Sequence, residues 1–109
     1  MSLAEKHCEP CHQDAEAMGQ DDIKSFLAKI SGWEIAEDGK RIWRKWSFQN
    51  FAKALAFVNQ VGVIAEAENH HPDIEFGWGY ASVSLQTHNI GGLHENDFIV
   101  AAKINQLSS

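Results

Sequence analysis

Three imidazoles carry the clearest chemical signal in this chain of 109 residues. His70 and His71 are adjacent and followed by Pro72, and His88 comes directly after Leu85-Gln86-Thr87. Histidine is the side chain whose unperturbed pKa lets it give and take protons near neutral pH, so a cluster of them points to acid/base catalysis. If a hairpin folds about Gly79, His70 lies nine residues before the turn and His88 nine after it. Cross-strand neighbours then stand about 5 Å apart at the Cα level, and the imidazoles share one rim of a sheet. Pro72 biases His71 toward an extended backbone, which turns two consecutive side chains in different directions within reach of one pocket. Glu66, four residues before His70, adds a carboxylate to that rim. The plain alternative is that His70 serves the end of a helix electrostatically, His88 ends a strand, and the set does no chemistry. A zinc site is the other alternative, but adjacent histidines seldom chelate one ion together, so no metal is expected.

Positioning these groups calls for a folded scaffold, and the hydrophobic periods supply one. Ile23, Phe26, Leu27 and Ile30 recur at helical spacing, with Asp21 or Asp22 as N-cap and Gly32 as the stop. Trp33 to Ile35 and Arg41 to Phe48 read as strands joined across Asp38-Gly39, a hairpin signal. From about Asn50, the residues Phe51, Leu55, Val58, Val61 and Ala65 form one stripe of a long second helix. Asp73 to Phe76 and Ala81 to Thr87 alternate at period two around Gly77-Trp78-Gly79, and Phe98, Ala101, Ala102 and Asn105 support a third helix. The order is α-β-β-α-β-β-α. The expected fold is therefore α+β, a four-stranded antiparallel sheet with helices packed on one face.

Composition bounds what such a domain does. With 44% hydrophobic and 22% charged residues and 2 prolines, the chain is of the globular class. A net charge of −6 opposes phosphate attraction, so no direct nucleic-acid partner is expected. No run approaches the roughly 20 apolar residues of a membrane span, and the first residues lack the apolar core of a signal peptide, which predicts a cytoplasmic protein away from membranes. Residues 1–20 show no sustained apolar period and read as a mobile N-terminal tail, dispensable for folding, with the domain spanning residues 21–109. That segment contains Cys8-Glu9-Pro10-Cys11-His12, the spacing of covalent haem attachment. Haem attachment needs export and an axial-ligand pocket, and labile metal binding with His7 or His12 is the other option; the favoured reading is a tail without cofactor. Trp33, Trp43, Trp46 and Trp78 are read as core or interface packing, with one free to stack on a flat ligand.

At the histidines the sequence resembles the pterin-4a-carbinolamine dehydratases. The resemblance rests on Glu66, the run Asn69-His70-His71-Pro72-Asp73, the pair Thr87-His88, and Gly91-Gly92-Leu93 followed by Asp97, and it extends back through Gly32-Trp33. It implies dehydration of 4a-hydroxytetrahydropterin to quinonoid dihydropterin without metal or prosthetic group, in regeneration of the tetrahydropterin cofactor for aromatic amino-acid hydroxylation. By the same resemblance His70, His71 and His88 are the catalytic residues, with Glu66, Pro72, Asp73, Thr87 and Asp97 binding substrate. A homodimer or homotetramer is expected, and exposed strand edges agree with one. The alternative function is a non-catalytic protein-binding module, a dimerisation cofactor of a transcription factor. Three departures stand out: His94 where many members carry Ser or Thr, predicting a frayed third helix; Asn96 where many carry Arg; and Ile74 where an aromatic is usual, predicting a thinner pocket wall.

Overall fold

Alternation of side chains along two central strands organises the molecule. Ala81, Val83 and Leu85 are buried while Ser82 and Ser84 between them are not, and Ile42 and Trp46 continue the same buried face on the neighbouring strand. A computed structural model describes residues 2–9 and 16–107 of the chain. Its elements are α1 (Gln20–Leu27), β1 (Glu34–Ile35), β2 (Ile42–Ser47), α2 (Phe51–Glu68), β3 (Asp73–Gly77), β4 (Tyr80–Leu85) and α3 (Glu95–Asn105), with single 3-10 turns at Leu3–Glu5 and His88–Ile90. The four strands form one antiparallel sheet in the order β1-β2-β4-β3. Phe57 and Val61 of α2 and Phe98, Val100, Ala101 and Ile104 of α3 close over its apolar face, with Ile23 of α1 at the margin. The expected α+β architecture is the observed one.

Several local expectations change. Gly77 pairs with Tyr80, so the hairpin turns on Trp78-Gly79 rather than about Gly79 alone, with Gly79 at φ +86. Continued along the chain, this register sets His70 level with Thr87, one residue short of His88. β4 ends at Leu85, and His88 opens a 3-10 turn instead of closing the strand. The cap of α1 is Gly19, while Asp21 and Asp22 sit in the first turn, where their charge favours the helix dipole. His94 does not leave α3 frayed: its Nδ1 accepts from the Asn96 N–H at 3.0 Å, and the Asp97 carboxylate accepts in return from the His94 N–H at 3.0 Å. A neutral imidazole thus does the work of a Ser or Thr cap.

Residues 2–9 are not a detached tail. Leu3 is buried in the core, and the Ala4 carbonyl accepts from Lys103 Nζ at 2.8 Å. Lys6 pairs with Glu95 at 2.7 Å, and Asn96 grips Glu9 through both of its backbone polar groups. One apolar anchor and polar partners some ninety residues away leave no local period for sequence reading to detect. Pro10 to Ala15, including Cys11 and His12, lie outside the described residues.

Candidate active site

The histidines reach one place because two chain reversals deliver them there. Helix α2 is capped at its start by Asn50, whose side chain accepts from the Lys53 N–H, and it ends at Asn69, which takes the left-handed conformation at φ 52. Asparagine tolerates that region better than other non-glycine residues. The His70 N–H then bonds back to the Ala65 carbonyl at 3.2 Å, so the two imidazoles leave the helix at a fixed angle. On the other side, Thr87 pairs with Gly92 across a loop holding the 3-10 turn, and Gly91 at φ 65 lets the chain return. Gly91 has open space around a would-be Cβ, so only backbone conformation opposes a larger residue. Gly91→Val should cost about 1–2 kcal/mol in urea unfolding; an unchanged midpoint would contradict the left-handed turn.

A cleft of about 660 Å³ opens between these reversals, within the size range of small-molecule sites. His70, His71, Thr87 and His88 line it, with Gln86, Asn96, Glu68, Cys8 and Glu9 among the other walls. His70 and His71 are each held by a carboxylate at one ring nitrogen, and His88 is contacted by an amide. His70 Nε2 lies 2.6 Å from Asp97 Oδ1, and Asp97 is completely buried. The second Asp97 oxygen accepts from Thr87 Oγ1 at 2.8 Å, so one carboxylate fixes His70, Thr87 and the start of α3 together. His71 Nε2 pairs with Glu66 at the surface. Gln86 Nε2 lies 3.1 Å from His88 Nδ1 and 3.4 Å from His88 Nε2, so it touches the ring without singling out one nitrogen. A carboxylate accepting from one ring N–H leaves the opposite nitrogen to take or give a proton, which is the arrangement general acid/base chemistry needs.

The other expected site residues divide. Glu66 joins through His71, and Thr87 lines the cleft directly. Asp97 stands beneath the cleft and acts through His70 and Thr87. Pro72 is not part of the lining, and Asp73 lies elsewhere, in a shallow depression with Arg41, Trp43 and Glu75. Asp73 pairs with Ser84 in the sheet, which turns it to the face opposite the core. Ile74 is also absent from the cleft wall, so its size does not thin it, and none of the four tryptophans lines it. Gln86, Asn96, Glu68, Cys8 and Glu9 line the cleft without having been expected there. Gln86, two residues before His88, carried a usable signal; the others are brought in only by tertiary packing.

The N-terminal wall is electrostatically locked. Glu68 is nearly buried and accepts from the Cys8 N–H at 2.7 Å and from His7 Nδ1 at 3.0 Å, with Lys103 Nζ at 3.6 Å. Burial alone would raise the Glu68 carboxyl, but the Cys8 N–H, His7 and Lys103 outweigh it and hold it below its ordinary 4.5. The Cys8 thiol is pushed up to about 12, first by burial and then by the Glu68 charge. Metals take the thiolate, so Cys8 sits where that form is disfavoured. Among the described residues no three His, Cys, Asp or Glu side chains gather as a metal-ligand set.

A carboxyl depressed in the folded state contributes stability that is complete above its unfolded value and is lost as pH falls through the folded one. Glu68→Gln should therefore melt below wild type at neutral pH, by about 1–2 kcal/mol. The gap should close as pH drops below about 4.5. A gap that persists unchanged to strongly acid pH would contradict the clamp.

The family profile described as pterin 4 alpha carbinolamine dehydratase matches residues 16–107. A protein of Halorhodospira halophila, provisionally named pterin-4-alpha-carbinolamine dehydratase, is 48% identical over 109 residues, covering 100% of both chains. One of Azoarcus, named in the same way, is 46% identical over 106 residues, 97% of this chain and 91% of its own. Among solved structures, a transcriptional coactivator/pterin dehydratase from Brucella melitensis superposes with a TM-score of 0.81 at 26% identity, over 86% of this chain and 100% of its own. A pterin dehydratase-like protein identified as a RuBisCO assembly factor of the alpha-carboxysome shares the fold, with a TM-score of 0.61 at 18% identity over 90% of this chain and 95% of its own. With its profile matched from α1 through α3, this chain belongs to the pterin 4 alpha carbinolamine dehydratase family.

Proposed function

We propose that this protein is a hydro-lyase that converts 4a-hydroxytetrahydropterin to quinonoid dihydropterin and water by histidine acid/base catalysis. The observation that carries the reading is the convergence of His70, His71 and His88 on one cleft, with His70 and His71 each held by a carboxylate at one ring nitrogen. In the reaction the C4a–O bond breaks as a protonated imidazole delivers its proton to the leaving hydroxyl. A second imidazole takes the proton from a ring nitrogen as the new C=N bond forms. The hydroxyl leaves as water, one proton is given and one taken, and nothing is oxidised. His71 and His88 carry the transfers, with His70 oriented by Asp97 and His71 by Glu66. The setting is regeneration of the tetrahydropterin cofactor of aromatic amino-acid hydroxylation, in the cytoplasm, and no helix among the described residues is long and apolar enough to cross a membrane. Following quinonoid product spectroscopically on carbinolamine generated in the cuvette tests the activity; a rate equal to the uncatalysed one contradicts it.

A protein-docking role is the second reading, favoured by the coactivator name of the Brucella relative and by exposed Phe51, Leu55 and Val63 on α2. Docking has no need of three oriented imidazoles, whereas catalysis does. The same exposed residues support a homodimer or homotetramer; a monomer in sedimentation velocity at micromolar concentration would contradict that.

A further inference from the structure

We propose that Glu9, carried into the cleft by the N-terminal strap, is a substrate-orienting residue whose carboxylate binds the 2-amino and N3–H edge of the pterin ring. This rests on the dehydratase reading and adds to it the means by which the heterocycle is recognised. Among the described residues the cleft lining contains no Lys or Arg, which suits a neutral heterocycle rich in hydrogen-bond donors rather than a phosphate or carboxylate ligand. Two acidic residues, Glu9 and Glu68, are among its described lining residues. Glu68 is committed to the Cys8 N–H, His7 and Lys103. Glu9 is held differently. Its N–H donates to Asn96 Oδ1 at 3.1 Å and its carbonyl accepts from Asn96 Nδ2 at 2.6 Å. Asn96 is itself almost wholly buried, so the backbone of Glu9 is fixed on the cleft wall by a rigid partner. No other described residue bonds to the Glu9 carboxylate, which leaves both of its oxygens as acceptors.

The pyrimidine half of a pterin presents two parallel donors, the 2-amino group and N3–H, at the spacing of a carboxylate's two oxygens. Such bidentate, charge-assisted pairs fix orientation as well as adding affinity. A ring anchored at that edge on the strap directs C4a toward the histidines on the remaining walls. The position of Asn96, one residue before Asp97, links both functions: Asp97 orients His70 while Asn96 holds the strap.

Glu9→Gln separates a role in orienting substrate from a role in holding the fold. The Glu9 side chain bonds to no other described residue, so the variant should melt as wild type does. Its KM for carbinolamine should rise about tenfold or more, with kcat within about threefold, because orientation at the edge is lost while the imidazoles remain. Binding of unreactive 7,8-dihydropterin, followed by tryptophan fluorescence, should weaken in parallel. Wild type should prefer it to the 2-oxo analogue, 7,8-dihydrolumazine, and Glu9→Gln should lose most of that preference. Wild-type KM and undiminished preference in Glu9→Gln overturn the inference while leaving the dehydratase reading standing. A wild-type protein that neither turns over carbinolamine nor binds dihydropterin overturns the dehydratase reading, and the role of Glu9 with it.

Discussion

His71→Ala and His88→Ala should each slow dehydration by about 10- to 10⁴-fold, the range seen when a positioned acid or base is removed. Their double variant should lose less than the product of the two, since both serve one transition state. Neither should disturb folding. His88 is exposed, and the His71 side chain is 54% exposed with its partner Glu66 at 78%, so truncation removes little buried surface and a surface pair of small worth. His70→Ala should behave differently. Its side chain is only 13% exposed and meets a carboxylate that water does not reach, so its loss should reduce stability by about 1–3 kcal/mol as well as rate. Steady-state kinetics and urea unfolding on the same preparations separate the two kinds of loss. Wild-type turnover in both His71→Ala and His88→Ala would overturn the catalytic assignment.

Asp97→Ala should be the most damaging single change to the scaffold. The side chain has no exposed surface and accepts from Thr87 Oγ1, from the His94 N–H and from His70. Removing it leaves three donors facing a cavity, breaks the reciprocal cap of α3 and frees the imidazole. Loss of one partner from a buried charged network costs about 3–5 kcal/mol, a large share of what a domain of this size possesses. Where the folded fraction is restored by low temperature, turnover should still fall, because His70 loses its orientation. Chemical unfolding with a parallel rate measurement checks both; wild-type stability would show that Asp97 is not the keystone its contacts make it.

What was legible in the sequence followed from period and punctuation. The helical period from Phe51 to Ala65 and the alternation through Val83 are enough for element order and sheet class, although the buried face of α2 is Ala54, Phe57, Val61 and Ala65, which leaves Phe51 and Leu55 of the expected stripe exposed. The histidine cluster is legible through a hairpin whose cross-strand register lies one residue from the expected one, a difference the site tolerates because the 3-10 turn at His88 brings that ring to the rim by another route. The strap was not legible. Leu3 is its one buried residue, and Glu68, Asn96 and Lys103 hold it through contacts without local pattern. The full burial of Asp97 was equally hidden, since an acid in the first turn of a helix is ordinarily a solvated one. Asp73 shows the limit of reading a motif as a unit: adjacent in sequence to the His-His-Pro run, it is turned by strand alternation to the far face of the sheet.

The most direct test of histidine-catalysed dehydration is the rate of purified full-length protein beside a His70→Ala/His71→Ala/His88→Ala variant, each with and without chelator. Wild type should form quinonoid product rapidly and at the same rate in chelator, and the triple variant should run close to the uncatalysed reaction. A triple variant that folds and retains wild-type turnover would contradict the claim.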